Sequence, residues 1–178
     1  GLPLALVLAD KGFTVYGIGR NEAKIKKINS GEMPFIEIGA PTLLKKTIGK
    51  SFFATCDYSS ISKSDYVILT LGTPVDENMN PVYDQITESI KRATPYFKAG
   101  QTLILRSTVS PRTTDYVSSL IKDNKNLRIG KNFFLAFCPE RIAEGKAIEE
   151  IISIPQIIGG IDVKSTRKAS ELFKKLGV

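Results

Sequence analysis

Two polar clusters hold the side chains in this 178-residue chain that could do acid–base chemistry. Ser107-Thr108-Val109-Ser110-Pro111 follows the apolar run Thr102–Leu105. Cys138-Pro139-Glu140-Arg141-Ile142-Ala143-Glu144-Gly145 follows Phe133–Phe137. If both runs are strands of one parallel sheet, both clusters leave it at the carboxyl edge, where open α/β sheets bind ligands. A hydroxyl and two carboxylates would then line one crevice. The chain contains no histidine to compete for proton transfer.

A hydroxyl at Ser107 or Thr108 can position a water but is a poor nucleophile without an adjacent base. Carboxylates above an apolar floor tend toward raised pKa values, which suits general acid–base work at Glu140 and Glu144. Plainer roles stay open for the same residues. Ser107-Thr108 could serve as a cap or turn, and Glu140, Arg141 and Glu144 could form an exposed salt-bridged loop. Cys138 has no histidine to activate it and is read as a small buried residue.

Three further segments could touch a dinucleotide. Gly1-Leu2-Pro3 opens an apolar helix, and the next strand ends at Ile18, about 17 residues on. That is the spacing of a dinucleotide-binding βαβ unit from its last glycine onward. The end of that strand usually carries an Asp or Glu for the ribose hydroxyls. Here it carries Gly19-Arg20. Arg20 could meet a 2′-phosphate or stack on adenine, which leaves NADP open beside NAD. Gly72-Thr73-Pro74 follows the most hydrophobic strand, where glycine permits close backbone approach and the Thr73 hydroxyl can bond a ribose or phosphate. A surface arginine and an ordinary tight turn are the plainer alternatives.

The elements that would position these residues alternate. Helices are expected at Leu2–Lys11, at Glu22–Asn29 with Asn21 as cap, at Thr42–Thr47, Asp84–Phe97 and Thr113–Lys122, and at Val163–Leu176 with Asp162 as cap. Strands are expected at Phe13–Ile18, Ser51–Thr55, Tyr66–Leu71, Thr102–Leu105, Phe133–Phe137 and Gln156–Ile158. Tyr66–Leu71 is apolar enough to be buried on both faces. A short helical turn is expected at Asp57 or Ser59, and Gly72–Pro81 reads as a loop. This order predicts an α/β fold: a doubly wound, Rossmann-like parallel sheet.

Composition narrows the class. A hydrophobic share of 42% with 24% charged residues suits a globular domain. No apolar stretch reaches the roughly 18 residues a membrane helix needs, and no leader with a charged start and cleavage site is seen. Cys56 and Cys138 are too few for a disulfide framework or a zinc site, so a reducing, cytoplasmic setting is expected. The net charge of +7 is spread over helix faces rather than gathered into an RNA-binding signature. No nucleic-acid or membrane partner is expected. The chain lacks an initiator Met and starts mid-element, so it is read as part of a longer protein.

Several stretches together resemble the N-terminal domain of the UDP-glucose/GDP-mannose dehydrogenase family, the nucleotide-sugar 6-dehydrogenases. They are Gly1-Leu2-Pro3-Leu4-Ala5, Lys24 with Ile28-Asn29-Ser30-Gly31-Glu32, and Gly72-Thr73-Pro74-Val75-Asp76. They continue with Ser107-Thr108-Val109-Ser110-Pro111, Pro139-Glu140-Arg141-Ile142-Ala143-Glu144-Gly145 and Ile158-Gly159-Gly160. The resemblance implies NAD-dependent oxidation of the C6 alcohol of a nucleotide sugar to a carboxylate. Two NAD are reduced per turnover, and the aldehyde stage is held on a cysteine. It implies that Lys24 and Thr73 touch the cofactor, beside Gly1 and Arg20 as read from their spacing, and that Thr108 holds the catalytic water near C6 and the nicotinamide. Glu140 would assist acid–base work, Glu144 would bind near the nicotinamide ribose or the substrate, and Arg141 would face the substrate.

The resemblance further implies that residues 1–178 are one dinucleotide-binding domain, partial at both ends. Its first strand and the central helical and C-terminal substrate domains would lie outside, together with the family's catalytic Lys, Asn, Cys and Asp. The fragment alone would then be inactive, and the full-length protein a homodimer serving polysaccharide biosynthesis. The wording around Glu140 and Ile154–Gly160 is closer to the UDP-N-acetylmannosamine branch than to the UDP-glucose branch. A 3-hydroxyacid or 6-phosphogluconate-type dehydrogenase and a non-catalytic binding fragment are the alternatives. Two departures stand out: Gly19 replaces the ribose-binding Asp, and Arg112 stands where many members have glycine.

Overall fold

A computed structural model describes residues 1–143 and 145–178. In chain order the elements are α1 (Leu2–Asp10), β1 (Val15–Ile18), α2 (Glu22–Asn29), α3 (Ala40–Thr47), β2 (Phe52–Thr55), β3 (Tyr66–Leu69) and α4 (Asp84–Ala93). They continue with β4 (Thr102–Leu105), α5 (Thr113–Ile121), β5 (Phe134–Phe137), α6 (Ala147–Ile151), β6 (Gly159–Gly160) and α7 (Val163–Leu176). The fold is α/β and Rossmann-like, with parallel sheets, as the alternation implies. The chain divides into two compact units: residues 1–58, 141–155 and 176–178, and residues 59–140 and 156–175.

In the first unit β1 and β2 pair in parallel, Val15 opposite Phe52 and Ile18 opposite Thr55. Helix α1 is almost wholly apolar, with Pro in its first turn, where no amide hydrogen is needed. Asn21 caps α2: its Oδ1 accepts from the Lys24 amide at 2.9 Å. Leu6, Ala9, Ile28, Ala40, Leu44, Phe52 and Ala54 form the core of this unit. Helix α6 was not expected, because Lys146–Ile152 carries no cap and spans barely one turn. Its Ala147 amide is instead held by the buried Glu37 carboxylate at 2.9 Å.

In the second unit the strands run in the order β3-β4-β5-β6, the first three parallel and β6 antiparallel to β5. Every residue of β4 is buried. Ile86, Ile90 and Ala93 of α4, Val117 and Ile121 of α5, and Ala169, Leu172 and Phe173 of α7 are buried too. Burying each of the Ile, Val, Leu and Phe side chains among these stabilises the unit by about 1.5–3 kcal/mol. Asp162 caps α7 by accepting from the Ser165 amide at 2.7 Å. Gln101, also buried, donates to the carbonyls of Ile61 (2.7 Å) and Ser64 (2.8 Å).

Three expectations are corrected. Strand β3 stops at Leu69 and is only half-buried, because it is an edge strand paired to β4 alone. The last strand is Gly159–Gly160, not Gln156–Ile158. Helix α4 ends at Ala93 and passes into a 3₁₀ turn at Thr94–Tyr96, since Pro95 has no amide hydrogen to continue it.

The position of β6 depends on Gly160. A Cβ there would meet the Thr166 amide nitrogen and come within 2.7 Å of the Asp162 carbonyl oxygen, both main-chain atoms that cannot swing away. At Gly159 a Cβ meets nothing within 4 Å. Gly160→Ala is therefore expected to cost about 1–3 kcal/mol in urea unfolding, and Gly159→Ala less than about 0.5 kcal/mol. Equal effects would contradict this packing.

Candidate functional site

The site residues of the second unit are gathered by strand register. Leu69, Leu105 and Phe137 lie side by side at the ends of β3, β4 and β5. The chain beyond each therefore leaves the sheet at the same edge. Gly72-Thr73, Ser107-Thr108 and Glu140 are the residues that follow, so the two clusters do emerge together.

The first two of these loops are tied to each other. A Cβ at Gly72 would stand 3.2 Å from the Thr108 carbonyl oxygen, so glycine permits the close approach. The Thr73 Oγ1 accepts from the Ser110 amide at 2.8 Å and donates to the Ser110 hydroxyl at 3.1 Å. Ser110 in turn accepts at its carbonyl from the Thr113 hydroxyl, 2.6 Å away, at the start of α5. Thr108 stays exposed at the rim. Further along the first loop, Asp76 accepts from the Asn78 and Asn80 amides and from the Asn80 side chain. The Asn80 amide, then its side chain, holds the Asp76 carboxyl below its ordinary value, because these bonds favour the ionised form.

The third loop rests on a residue that sequence reasoning missed. Arg106, the last residue before Ser107, is 1% exposed. Its Nη1 donates to Gln156 Oε1 at 2.6 Å, to the Cys138 carbonyl at 3.3 Å and to Cys138 Sγ at 3.2 Å. Its guanidinium carbon lies 5.3 Å from the centre of the Phe173 ring. Its Nε faces Glu140 Oε1 at 3.6 Å, and the Glu140 amide donates to the Arg106 carbonyl at 2.7 Å. Cys138 is fully buried beneath this arrangement, as its lack of an activating base implies. A lone arginine before a polar cluster reads as a surface residue, and no spacing rule marks it otherwise.

The remaining sequence-derived residues belong to the first unit. Gly1 opens α1, and the first turn of that helix carries no acidic residue. Arg20 and Lys24 are exposed, one after the end of β1 and one in the first turn of α2. These features suit an anionic dinucleotide: a helix start without a competing carboxylate and two accessible cations past a parallel strand. Arg141 is exposed and donates to the Pro155 carbonyl at 2.6 Å. Glu144 lies outside the described residues.

Arg112, just past the second cluster, sits at φ 67° and ψ 7°, the left-handed region. Its side chain is exposed and its nearest acid, Asp115, is 3.7 Å away across solvent. The left-handed conformation costs an L-residue about 1–2 kcal/mol, which glycine escapes. Glycine's extra unfolded-state freedom takes back part of that gain. Arg112→Gly is therefore expected to raise the denaturation midpoint by the equivalent of about 0.5–1 kcal/mol. A lowered midpoint would contradict the assignment of strain.

Residues 1–177 match the family model described as the UDP-glucose/GDP-mannose dehydrogenase family, NAD binding domain. A UDP-N-acetyl-D-mannosamine dehydrogenase of Methanococcus maripaludis is 31% identical over 178 residues, which cover 98% of this chain and 39% of the relative. Among solved structures, an NDP-N-acetyl-D-galactosaminuronic acid dehydrogenase from Methanosarcina mazei superposes with a TM-score of 0.90 at 32% identity. The match covers 99% of this chain and 40% of that one. A UDP-D-ManNAc dehydrogenase from Pyrococcus horikoshii gives a TM-score of 0.94 at 29% identity, over 99% of this chain and 42% of that one. The chain thus spans about two fifths of the length of these relatives. No helix among the described residues is long and apolar enough to cross a membrane.

Proposed function

Since the chain belongs to the UDP-glucose/GDP-mannose dehydrogenase family, as its NAD-binding domain, we propose that the protein carrying it oxidises the C6 alcohol of a nucleotide sugar to the uronic acid. The observation that carries this reading is the common edge to which β3, β4 and β5 deliver Gly72-Thr73, Ser107-Thr108 and Glu140. The substrate is UDP-N-acetylmannosamine or a close analogue, by likeness to relatives bearing that name. Polysaccharide biosynthesis, a cytoplasmic setting and a homodimeric full-length protein complete the proposal.

NAD, the cofactor of this domain, supplies a hydride acceptor when bound. The chain's own residues do the rest. Oxidising an alcohol gives up a hydride and the hydroxyl proton, and the proton needs an acceptor. Glu140 fills that role, directly or through a water held by the exposed Thr108 hydroxyl. Conversion of the aldehyde to the acid consumes one water and gives up a second hydride, for which a second NAD would be the acceptor. Once Glu140 has passed its first proton to solvent, the same pair can orient and deprotonate that water. Thr73 braces the Ser110 turn beneath Thr108, which fixes the rim from which that water would be held. In the other unit, Gly1 at the start of α1, Arg20 and Lys24 are assigned to the cofactor's anionic groups. Arg141 and Glu144 are assigned to the substrate.

The test uses the full-length protein. UDP-N-acetylmannosamine should drive reduction of two NAD per sugar consumed. Thr108→Ala and Glu140→Gln should each lower kcat by about 10²–10⁴-fold while the Kd for NAD stays within about threefold. No NADH from any UDP- or GDP-linked sugar would overturn the proposal. If Arg20 reads a 2′-phosphate, NADP should bind more tightly than NAD, and Arg20→Ala should erase the difference. A preference for NAD that Arg20→Ala weakens instead would assign Arg20 to the shared part of the dinucleotide.

A further inference from the structure

Arg106 is the largest fully buried side chain among the described residues. A guanidinium stays protonated at any working pH, so its charge is permanent. A permanent buried charge is destabilising unless it is paired and its donors are engaged. One nitrogen of this group and one face of its plane are engaged without any acid. Gln156 and Cys138 take Nη1, and the Phe173 ring takes one face. Those partners fix the plane of the fork and aim Nε outward at Glu140.

Among the described residues, Glu140 is the one carboxylate within ion-pair distance of Arg106. The two facing atoms, Arg106 Nε and Glu140 Oε1, are both buried and have no hydrogen-bond partner among the described residues. At 3.6 Å they stand just beyond hydrogen-bonding distance. The rest of Glu140 reaches the rim, with its side chain 22% exposed. Its main chain is tied to the Arg106 carbonyl as well. One residue therefore governs both the backbone and the carboxylate of the acid.

We propose that Arg106 is a positioning residue for Glu140, and that a buried, permanently charged guanidinium holds this carboxylate oriented at the sheet edge. The inference rests on the acid–base role given to Glu140 above. Arg106 has 1% exposure and so presents no surface to a ligand; its effect on turnover is expected to pass through Glu140.

The experiment is a double-mutant cycle in the full-length enzyme, with kcat and the KM for NAD measured for each variant. Arg106→Met keeps most of the length of the side chain and removes its charge. Expected is a loss in kcat of at least about tenfold with the KM for NAD within about twofold. In the Glu140→Gln background the same substitution should change kcat by less than about threefold, because the partner is already gone. Arg106→Lys restores a charge without the fork and should recover part of the loss. If Arg106→Met does not fold, the Arg106→Lys cycle decides in its place, by whether its loss disappears in the Glu140→Gln background. An equal loss in both backgrounds, or wild-type kcat for Arg106→Met, overturns the positioning role. Wild-type kcat for Glu140→Gln alone would instead overturn the role of Glu140 itself, so the two failures are distinct.

Discussion

The parallel register of β3, β4 and β5 is the constraint on which the second unit depends. It aligns Leu69, Leu105 and Phe137, and each is followed within a few residues by a chemically useful loop. A slip of one residue in any of these strands would exchange the faces on which its side chains lie and undo the packing of each. It would also carry Thr108 or Glu140 away from the edge they share. Leu103, Ile104 and Leu105 of the middle strand are essentially inaccessible to solvent, so the apolar cost of a slip is large and the register is firmly specified. Hydrophobic burial thus determines where the polar chemistry emerges.

The edge is then stiffened by small, local devices. Gly72 lets one loop approach the Thr108 carbonyl, and Thr73 ties that loop to Ser110. Arg106 binds the third loop to the middle strand through the main chain and the side chain of Glu140. A buried arginine contributes little to stability when compared with a well-packed apolar residue. Its value here lies in orientation: a rigid planar fork, already held at Nη1 by Gln156 and Cys138, presents Nε in one direction.

Much of this was legible in the chain itself. Asn21 and Asp162 announced two helices because a short polar side chain before an apolar-periodic run has a clear physical use. Thr102–Leu105 was legible as a strand because it is a short apolar run that ends at a polar cluster; its burial on both faces was not, since that was expected of Tyr66–Leu71, which proves to be the half-buried edge strand. Gly72, Thr108 and Glu140 were legible as strand-end residues. Three features were not. Gly159–Gly160 has no side chains, so β6 follows from its pairing with Ala136 and Phe137 and leaves no local pattern. Helix α6 depends on Glu37, which is 110 residues distant in the chain. Arg106 depends on partners from the loop after β5, the Gln156 segment and α7, and only the folded chain brings them together. Features made by local chemistry could be read in advance; those made by tertiary contact could not.

The central claim is that the sheet edge delivers Thr108 and Glu140 to the same reacting centre. The most direct measurement is a crystal structure of the full-length protein with NAD and the UDP-sugar bound. One water beside the sugar C6 should lie within about 3.2 Å of both the Thr108 hydroxyl and the Glu140 carboxylate. A sugar C6 bound away from this edge, or a Glu140 carboxylate turned from it with the substrate in place, would contradict the account.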